Sequence, residues 1–129
     1  MTRTELARWL ERYERAWRSP GTEALGGLFA ADATYSPAPY EDTVHGLERI
    51  GEFWEANREG ADEAFTMASE IVAVEGNVGV AHVEIHYCDP RGSDYRDLWI
   101  VVLDDDGRCA AFEEWPFFPG QPLTSSPAR

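Results

Sequence analysis

The sequence predicts an α+β domain in which the helices come before the strands. Apolar side chains recur at helical spacing in the first half of the chain, whereas from Phe65 onward they alternate with a period of two. Short turn-like segments separate the later strands, and short connections join antiparallel neighbours. Helices followed by a strand meander indicate an α+β fold with the helices packed on one face of the sheet.

Three helices are predicted in the first half of the chain. The first begins at a capping box formed by Thr2 and Glu5 and ends at the breaker Ser19-Pro20-Gly21. A short second helix has Leu25, Leu28 and Phe29 on one side, and a third helix follows His45-Gly46. The apolar positions of the first and third helices are Leu6, Trp9, Leu10, Tyr13 and Trp17, and Leu47, Ile50, Phe53 and Trp54.

Five strands are predicted. A short one covers Ala33–Ser36 and is ended by Pro37 and Pro39, after which a loop covers Tyr40–Gly46. The four long strands are Phe65–Val74, Val78–Tyr87, Tyr95–Leu103 and Arg108–Trp115. The turns between them contain Gly76, Gly92 and Gly107, as antiparallel hairpins require.

Composition and charge narrow the class of protein. A chain of 129 residues that is 43% hydrophobic fits one domain with a substantial core. The net charge of −13 would repel phosphate backbones and anionic lipid surfaces, which argues against nucleic acid and membrane partners. No apolar run approaches the roughly 20 residues of a membrane span. The N-terminus has no apolar leader, and the cysteines Cys88 and Cys109 match no zinc spacing, so a cytoplasmic protein is expected.

Several short sequence motifs are similar to those of one protein family. They are the stretches Tyr13–Trp17, Leu28–Thr34, His45–Trp54 and Asp104–Arg108. With this order of elements, the chain resembles the nuclear transport factor 2-like superfamily, which includes SnoaL-like polyketide cyclases and ketosteroid isomerases. The resemblance covers residues 1–119 and leaves 120–129 as a tail. It implies a cone of about three helices in a strongly curved, mostly antiparallel sheet, a pocket at the open end, and a homodimer.

The resemblance also gives expectations for single residues. Tyr13 lies where ketosteroid isomerases carry their oxyanion-hole tyrosine. Their general-base position falls on Pro37 and their second donor on or near Trp99, so a standard ketosteroid isomerase is disfavoured. Limonene-epoxide hydrolases of this fold have Arg-x-Asp on a strand, whereas Arg96 and Asp97 are adjacent here and point to opposite faces.

Strand parity identifies two candidate acidic residues. Asp97 and Trp99 share one face of the third long strand, and a two-residue turn at Asp106-Gly107 would place Glu114 opposite Trp99 on that face. A three-residue turn with a glycine bulge would place Glu113 there instead, but the family pattern favours Glu114. An inward Asp97 and Glu114 would compete for ionisation, so the pKa of one should rise. Alternatively, Arg96 or another arginine pairs with one carboxylate, and the other caps a loop or faces water.

The function predicted from these residues is small-molecule binding in an aromatic pocket. Besides Tyr13, Asp97 and Glu114 as candidate catalytic residues, the expected pocket wall comprises Trp17, Tyr35, Trp54, Ile85, Tyr87, Trp99 and Phe112. Phe53 is expected to fill the core. If the protein is an enzyme, the chemistry is cofactor-free isomerisation, cyclisation or dehydration, with Tyr13 as donor and the two carboxyls as base and acid. The alternatives are a non-catalytic ligand-binding or dimerisation module and, less favoured, a hydrolase.

The opposite face of the sheet has its own pattern. His82, Glu84 and His86 alternate along one strand, and the family parity places them outward, so no metal site is expected. Leu98, Ile100 and Val102 form an apolar stripe on that side, which predicts burial by a second subunit. His45 is expected to pack or to form a hydrogen bond at the start of the third helix.

Overall fold

The computed structural model describes residues 1–58, 64–88 and 92–121. In this part of the chain three helices accompany one six-stranded sheet, which confirms the predicted α+β cone class. The helices are α1 (Arg3–Arg18), α2 (Leu25–Leu28) and α3 (Leu47–Asn57). The strands are β1 (Phe29–Ser36), β2 (Val44–His45), β3 (Phe65–Glu75), β4 (Val78–Tyr87), β5 (Asp94–Leu103) and β6 (Cys109–Phe117).

The sheet has the order β2-β1-β6-β5-β4-β3. Strands β3 to β6 form the predicted antiparallel meander, and the β1–β6 pair is the only parallel pair among the described strands. The helices cover the concave face, where the core lies. None of the described helices is long and apolar enough to cross a membrane.

The start of helix α1 and its buried face both follow from its sequence. The Thr2 hydroxyl accepts a hydrogen bond from the Glu5 amide at 3.0 Å, which caps the helix start as predicted. The buried residues of the helix follow the helical period and face the sheet; they are Leu6, Trp9, Leu10, Tyr13 and Ala16. Tyr13 is therefore held inside the cone by the packing of its own helix.

Strand β1 differs from its prediction. It begins at Phe29, four residues earlier than expected, and α2 is correspondingly only one turn long. The cause is pairing with β6, which joins Phe29 to Cys109 and Tyr35 to Phe112. The predicted loop before α3 contains a short strand as well, because Val44 and His45 pair with the other edge of β1. Long-range pairing has overridden the local helix signal at the start of β1, and it has turned part of the predicted loop into a strand.

The predicted two-residue turn between β5 and β6 is wrong. The Asp104 amide donates to the Arg108 carbonyl at 2.8 Å, so three residues close the loop, and Gly107 takes a positive φ of 78°. The Asp104 carboxylate stabilises this loop by accepting from the amides of Asp106 at 2.9 Å and Arg108 at 3.0 Å. Asp105 therefore does not pair with Arg108.

The longer loop nevertheless leaves Glu114 on the inner face. Leu103 pairs with Cys109 and Val102 with Ala111, so one extra residue of β6, Ala110, is accommodated as a bulge. The bulge restores the register in which Trp99 pairs with Glu114. The predicted turn at residues 89–93 lies partly outside the described residues, as do residues 122–129 of the predicted tail.

Candidate active site

The concave face of the sheet and the helices enclose a cavity of about 370 Å³. This volume lies in the range of roughly 300–1,000 Å³ that is typical of small-molecule sites. Eight of its sixteen lining residues are aromatic, and two are carboxylic acids, Asp97 and Glu114. The arrangement is a partly open aromatic pocket whose wall also carries phenol hydroxyls, two carboxyls and other polar groups.

Most of the residues predicted for the pocket wall line this cavity. They are Trp17, Tyr35, Ile85, Tyr87 and Trp99. The other two, Trp54 and Phe112, lie behind the wall: the Trp54 ring centroid is 4.8 Å from that of Trp17, and Phe112 lies 4.8 Å from Tyr35. They support the wall from within the core instead of facing the cavity.

Two phenols meet at one side of the cavity. Tyr13 comes from α1 and Tyr35 from β1, and their hydroxyl oxygens are 3.1 Å apart. The Tyr35 hydroxyl also donates to Glu114 Oε1 at 3.5 Å, which is a long hydrogen bond. Burial, reinforced by nearby charge, raises the pKa of both phenols well above 10, so both stay neutral and able to donate.

The two carboxyls occupy the adjacent wall. Asp97 is only 4% exposed, and its Oδ2 accepts a hydrogen bond from the Trp99 indole nitrogen at 3.0 Å. Asp97 Oδ1 is buried and has no hydrogen-bond partner among the described groups. Burial raises the pKa of Glu114 well above its ordinary value, and the hydrogen bond and charge of Asp97 raise it further, while Tyr35 opposes this.

A single proton shared by the carboxyls accounts for these observations together. A protonated Glu114 can donate to the carboxylate of Asp97, which supplies the partner that Oδ1 lacks. Two neighbouring carboxylates between aromatic walls cannot both ionise at low cost. The structure thus joins Tyr13, Tyr35, Glu114 and Asp97 into one polar network on the cavity wall.

Other cavity residues bear on the expectations from sequence. Pro37 and Trp99 both line the cavity, and neither carries a titratable group. Phe53 packs against the core, as expected, and also lines the cavity, with its ring centroid 5.3 Å from that of Tyr35. Sequence reasoning missed the hydroxyl of Tyr35 as a member of the polar network, since the inward parity of β1 depends on its pairing with distant β6.

The other candidate reactive side chains, which lie outside the cavity, are the histidines of β4 and Cys109. His82, Glu84 and His86 are exposed on the convex face, where His86 pairs with Asp94. Within the described ranges, no three His, Cys, Asp or Glu side chains are arranged to hold a metal ion. Burial raises the pKa of the Cys109 thiol to about 12, so this cysteine has little nucleophilic character.

The geometry of a helix-filled, curved sheet with a cavity at its open end defines a class of protein, and comparison with known families identifies it. Residues 10–112 match the SnoaL-like domain, and the chain belongs to this family. No curated protein matches the sequence with significance.

Solved structures share the fold at low sequence identity. A candidate isomerase of the SnoaL-like family from Agrobacterium tumefaciens has a TM-score of 0.70 at 21% identity, with 88% of this chain and 98% of that chain covered. SalBIII, an epoxide hydrolase/cyclase-like enzyme in pyran ring formation in the polyether salinomycin, has a TM-score of 0.70 at 14% identity over 86% of this chain and 89% of its own. A candidate ketosteroid isomerase from Kribbella flavida has a TM-score of 0.70 at 13% identity over 93% and 83%.

Proposed function

We propose that this protein binds a small apolar or polycyclic molecule in the aromatic cavity and catalyses a cofactor-free acid–base reaction of the isomerase, cyclase or dehydratase type. The observation that carries the proposal is the connected network of Tyr13, Tyr35, Glu114 and Asp97 on the wall of a mainly aromatic cavity. Such a network can bind a substrate oxygen and move a proton at the same site.

Each member of the network has a separate role. Glu114 is the acid, because its raised pKa keeps the proton on this side chain to higher pH than on an exposed glutamate. Asp97 is the base, with its orientation fixed by the Trp99 indole. When substrate binds, the Tyr13 hydroxyl turns its hydrogen from Tyr35 to an oxygen of the substrate, and Tyr35 keeps its hydrogen bond to Glu114. A reaction that removes one proton and delivers another uses both carboxyls.

A carboxyl titration followed by NMR tests the acid–base pair. In the wild-type protein, Glu114 should titrate well above the ordinary range, and in Asp97→Asn its pKa should fall because a like charge is removed. Glu113→Gln, on the convex side of the same strand, is the matched control and should leave the Glu114 titration in place. If Glu114 titrates near 4 (the ordinary range), the acid–base mechanism fails and the cavity is a non-catalytic binding site.

Proton transfer itself can be measured with 2-tetralone, a neutral bicyclic carbon acid that serves as the probe. The wild-type protein in D₂O should accelerate exchange of its α-hydrogens, and Asp97→Asn should slow this exchange about 100-fold. Glu84→Gln, which removes an exposed carboxylate from the convex face, should exchange at the wild-type rate. Equal rates for the wild type and Asp97→Asn would contradict the role of Asp97 as base.

A further inference from the structure

The cavity carries a negative charge that no side chain on its wall balances. One proton shared between Asp97 and Glu114 leaves the pair with a charge of −1. Among the described residues that line the cavity there is no arginine or histidine, and the whole chain contains no lysine. The titratable side chains that face the pair from α1, β1, β4 and β5 are phenols, those of Tyr13, Tyr35, Tyr87 and Tyr95, and phenols supply no positive charge.

The two arginines that contact cavity-lining rings, Arg18 and Arg58, each form an ion pair with a glutamate outside the cavity. Arg58 donates to the Gly21 carbonyl and to Glu55, each at 2.9 Å, and Arg18 lies 2.9 Å from a carboxylate oxygen of Glu14. Neither arginine lines the cavity. A buried charge without a countercharge is costly, so the cavity favours the arrival of a positive group.

The aromatic wall is also suited to a positive group. The guanidinium of Arg18 lies 4.0 Å from the centroid of the Phe65 ring, and that of Arg58 lies 5.3 Å from the Trp17 ring. Both rings line the cavity, while the two arginines contact them from outside it, and aromatic rings of this kind attract cations through their π faces. Aromatic rings around a carboxylate are a recurring way of recognising ammonium groups.

We propose that the cavity is selective for an apolar ligand that carries a protonated amine. The ammonium group meets the Asp97–Glu114 pair, and the aromatic rings enclose the apolar body. This inference rests on the proposed function for the location of the ligand site, and it narrows the ligand class: amines are favoured, neutral analogues bind more weakly, and carboxylates are excluded by the charge of the pair.

A matched series of bicyclic probes tests this selectivity. The probes are 2-aminotetralin, 2-tetralol and tetralin-2-carboxylate, which share one skeleton and carry a positive, a neutral and a negative group at pH 7. Quenching of Trp17 and Trp99 fluorescence should give an affinity about tenfold higher for the amine than for the alcohol, with no binding of the carboxylate. An alcohol that binds as tightly as the amine overturns the amine preference while leaving the cavity as a ligand site. Failure of all three probes overturns the proposed ligand site as well.

Two variants distinguish an amine preference caused by the Asp97–Glu114 pair from one caused by the overall negative charge of the protein. Asp97→Asn/Glu114→Gln should lose the preference for the amine and keep the binding of 2-tetralol, which also shows that the variant is folded. Asp105→Asn/Asp106→Asn removes two exposed carboxylates from the β5–β6 loop and should keep the preference. If the amine preference survives in the cavity variant, the overall charge is responsible and the proposal is wrong.

Proton release gives a readout on the unaltered protein. An ammonium beside the pair lowers the pKa of Glu114, so binding of 2-aminotetralin at pH 7 should release up to one proton, whereas binding of 2-tetralol should release none. Calorimetry in two buffers with different ionisation enthalpies measures this number. Equal proton release with both probes would place the amine away from the carboxyl pair and contradict the proposal.

Discussion

The two faces of the β5–β6 hairpin carry the same residue types in very different surroundings. On the concave face Trp99 is 1% exposed, and the half-buried Glu114 lines the cavity beside Asp97. On the convex face Trp115 is 36% exposed, and Glu113 points away from the cavity. The two tryptophans thus differ in burial, and the two adjacent glutamates differ in whether they face the cavity, because of strand parity. The comparison teaches that chemistry in this fold depends on register more than on composition.

The largest expected effect comes from the two tryptophans. Trp99→Ala should lower the free energy of unfolding by about 3–5 kcal/mol, because the ring packs against Tyr13 at 4.6 Å and Phe112 at 5.1 Å and the change leaves a cavity. Trp115→Ala should lower it by less than about 1 kcal/mol in the monomer. Urea unfolding of both variants measures the difference. Equal losses would contradict the assignment of concave and convex faces.

The second expected effect concerns assembly through the convex face. Leu98, Ile100 and Val102 are only half-buried, and Phe117 at the end of β6 is 50% exposed. We propose that a second copy covers this stripe, and light scattering at micromolar concentration should report about twice the 14.5 kDa of one chain.

Ile100→Glu places a charge in the centre of the stripe and should raise the dimer dissociation constant about 100-fold. Glu75→Gln, an exposed change at the end of β3, is the control. A wild-type protein that is monomeric at micromolar concentration would exclude this interface.

The two adjacent glutamates of β6 give the third prediction, a difference in pH dependence. The pKa of Glu114 is raised in the folded state, so folding favours its protonated form. The contribution of this group to stability is therefore greatest below about pH 4.5, and it falls as the pH rises through the raised pKa. A tenfold difference in proton affinity between the folded and unfolded states corresponds to about 1.4 kcal/mol. Glu114→Gln should remove the decline of stability with rising pH, and Glu113→Gln should retain it. Thermal unfolding between pH 4 and 8 compares them, and identical profiles for the two variants would contradict the burial of Glu114.

Much of this comparison could be predicted from the sequence, because alternation along β4 and β5 is a local property. Alternation grouped Asp97 with Trp99 on one face of β5, and the family parity placed His82 outward; in the structure Asp97 and Trp99 are buried and His82 is exposed. The helix of Tyr13 was equally clear from its apolar period.

Other features depend on partners that are distant in the chain. The early start of β1 and the inward hydroxyl of Tyr35 both follow from parallel pairing with β6, about 80 residues away, which leaves no local signal. The pairing of Trp99 with Glu114 is predicted from a two-residue turn that does not exist, and a bulge at Ala110 compensates for the longer loop. Two opposite register changes cancel, and only the three-dimensional structure reveals this.

The smallest expected effect tests that compensation. Gly107 has a φ of 78°, which a residue with a Cβ adopts with strain, although nothing lies within 4 Å of the position that a Cβ would occupy. Gly107→Ala should therefore destabilise the protein by about 1 kcal/mol through backbone strain alone. Because the bulge at Ala110 lies within β6 and not in the loop, Glu114 should stay on the concave face. The variant should melt at a lower temperature and keep the wild-type decline of stability with rising pH. If Gly107→Ala abolishes that decline, the loop itself sets the register of the hairpin and the bulge does not.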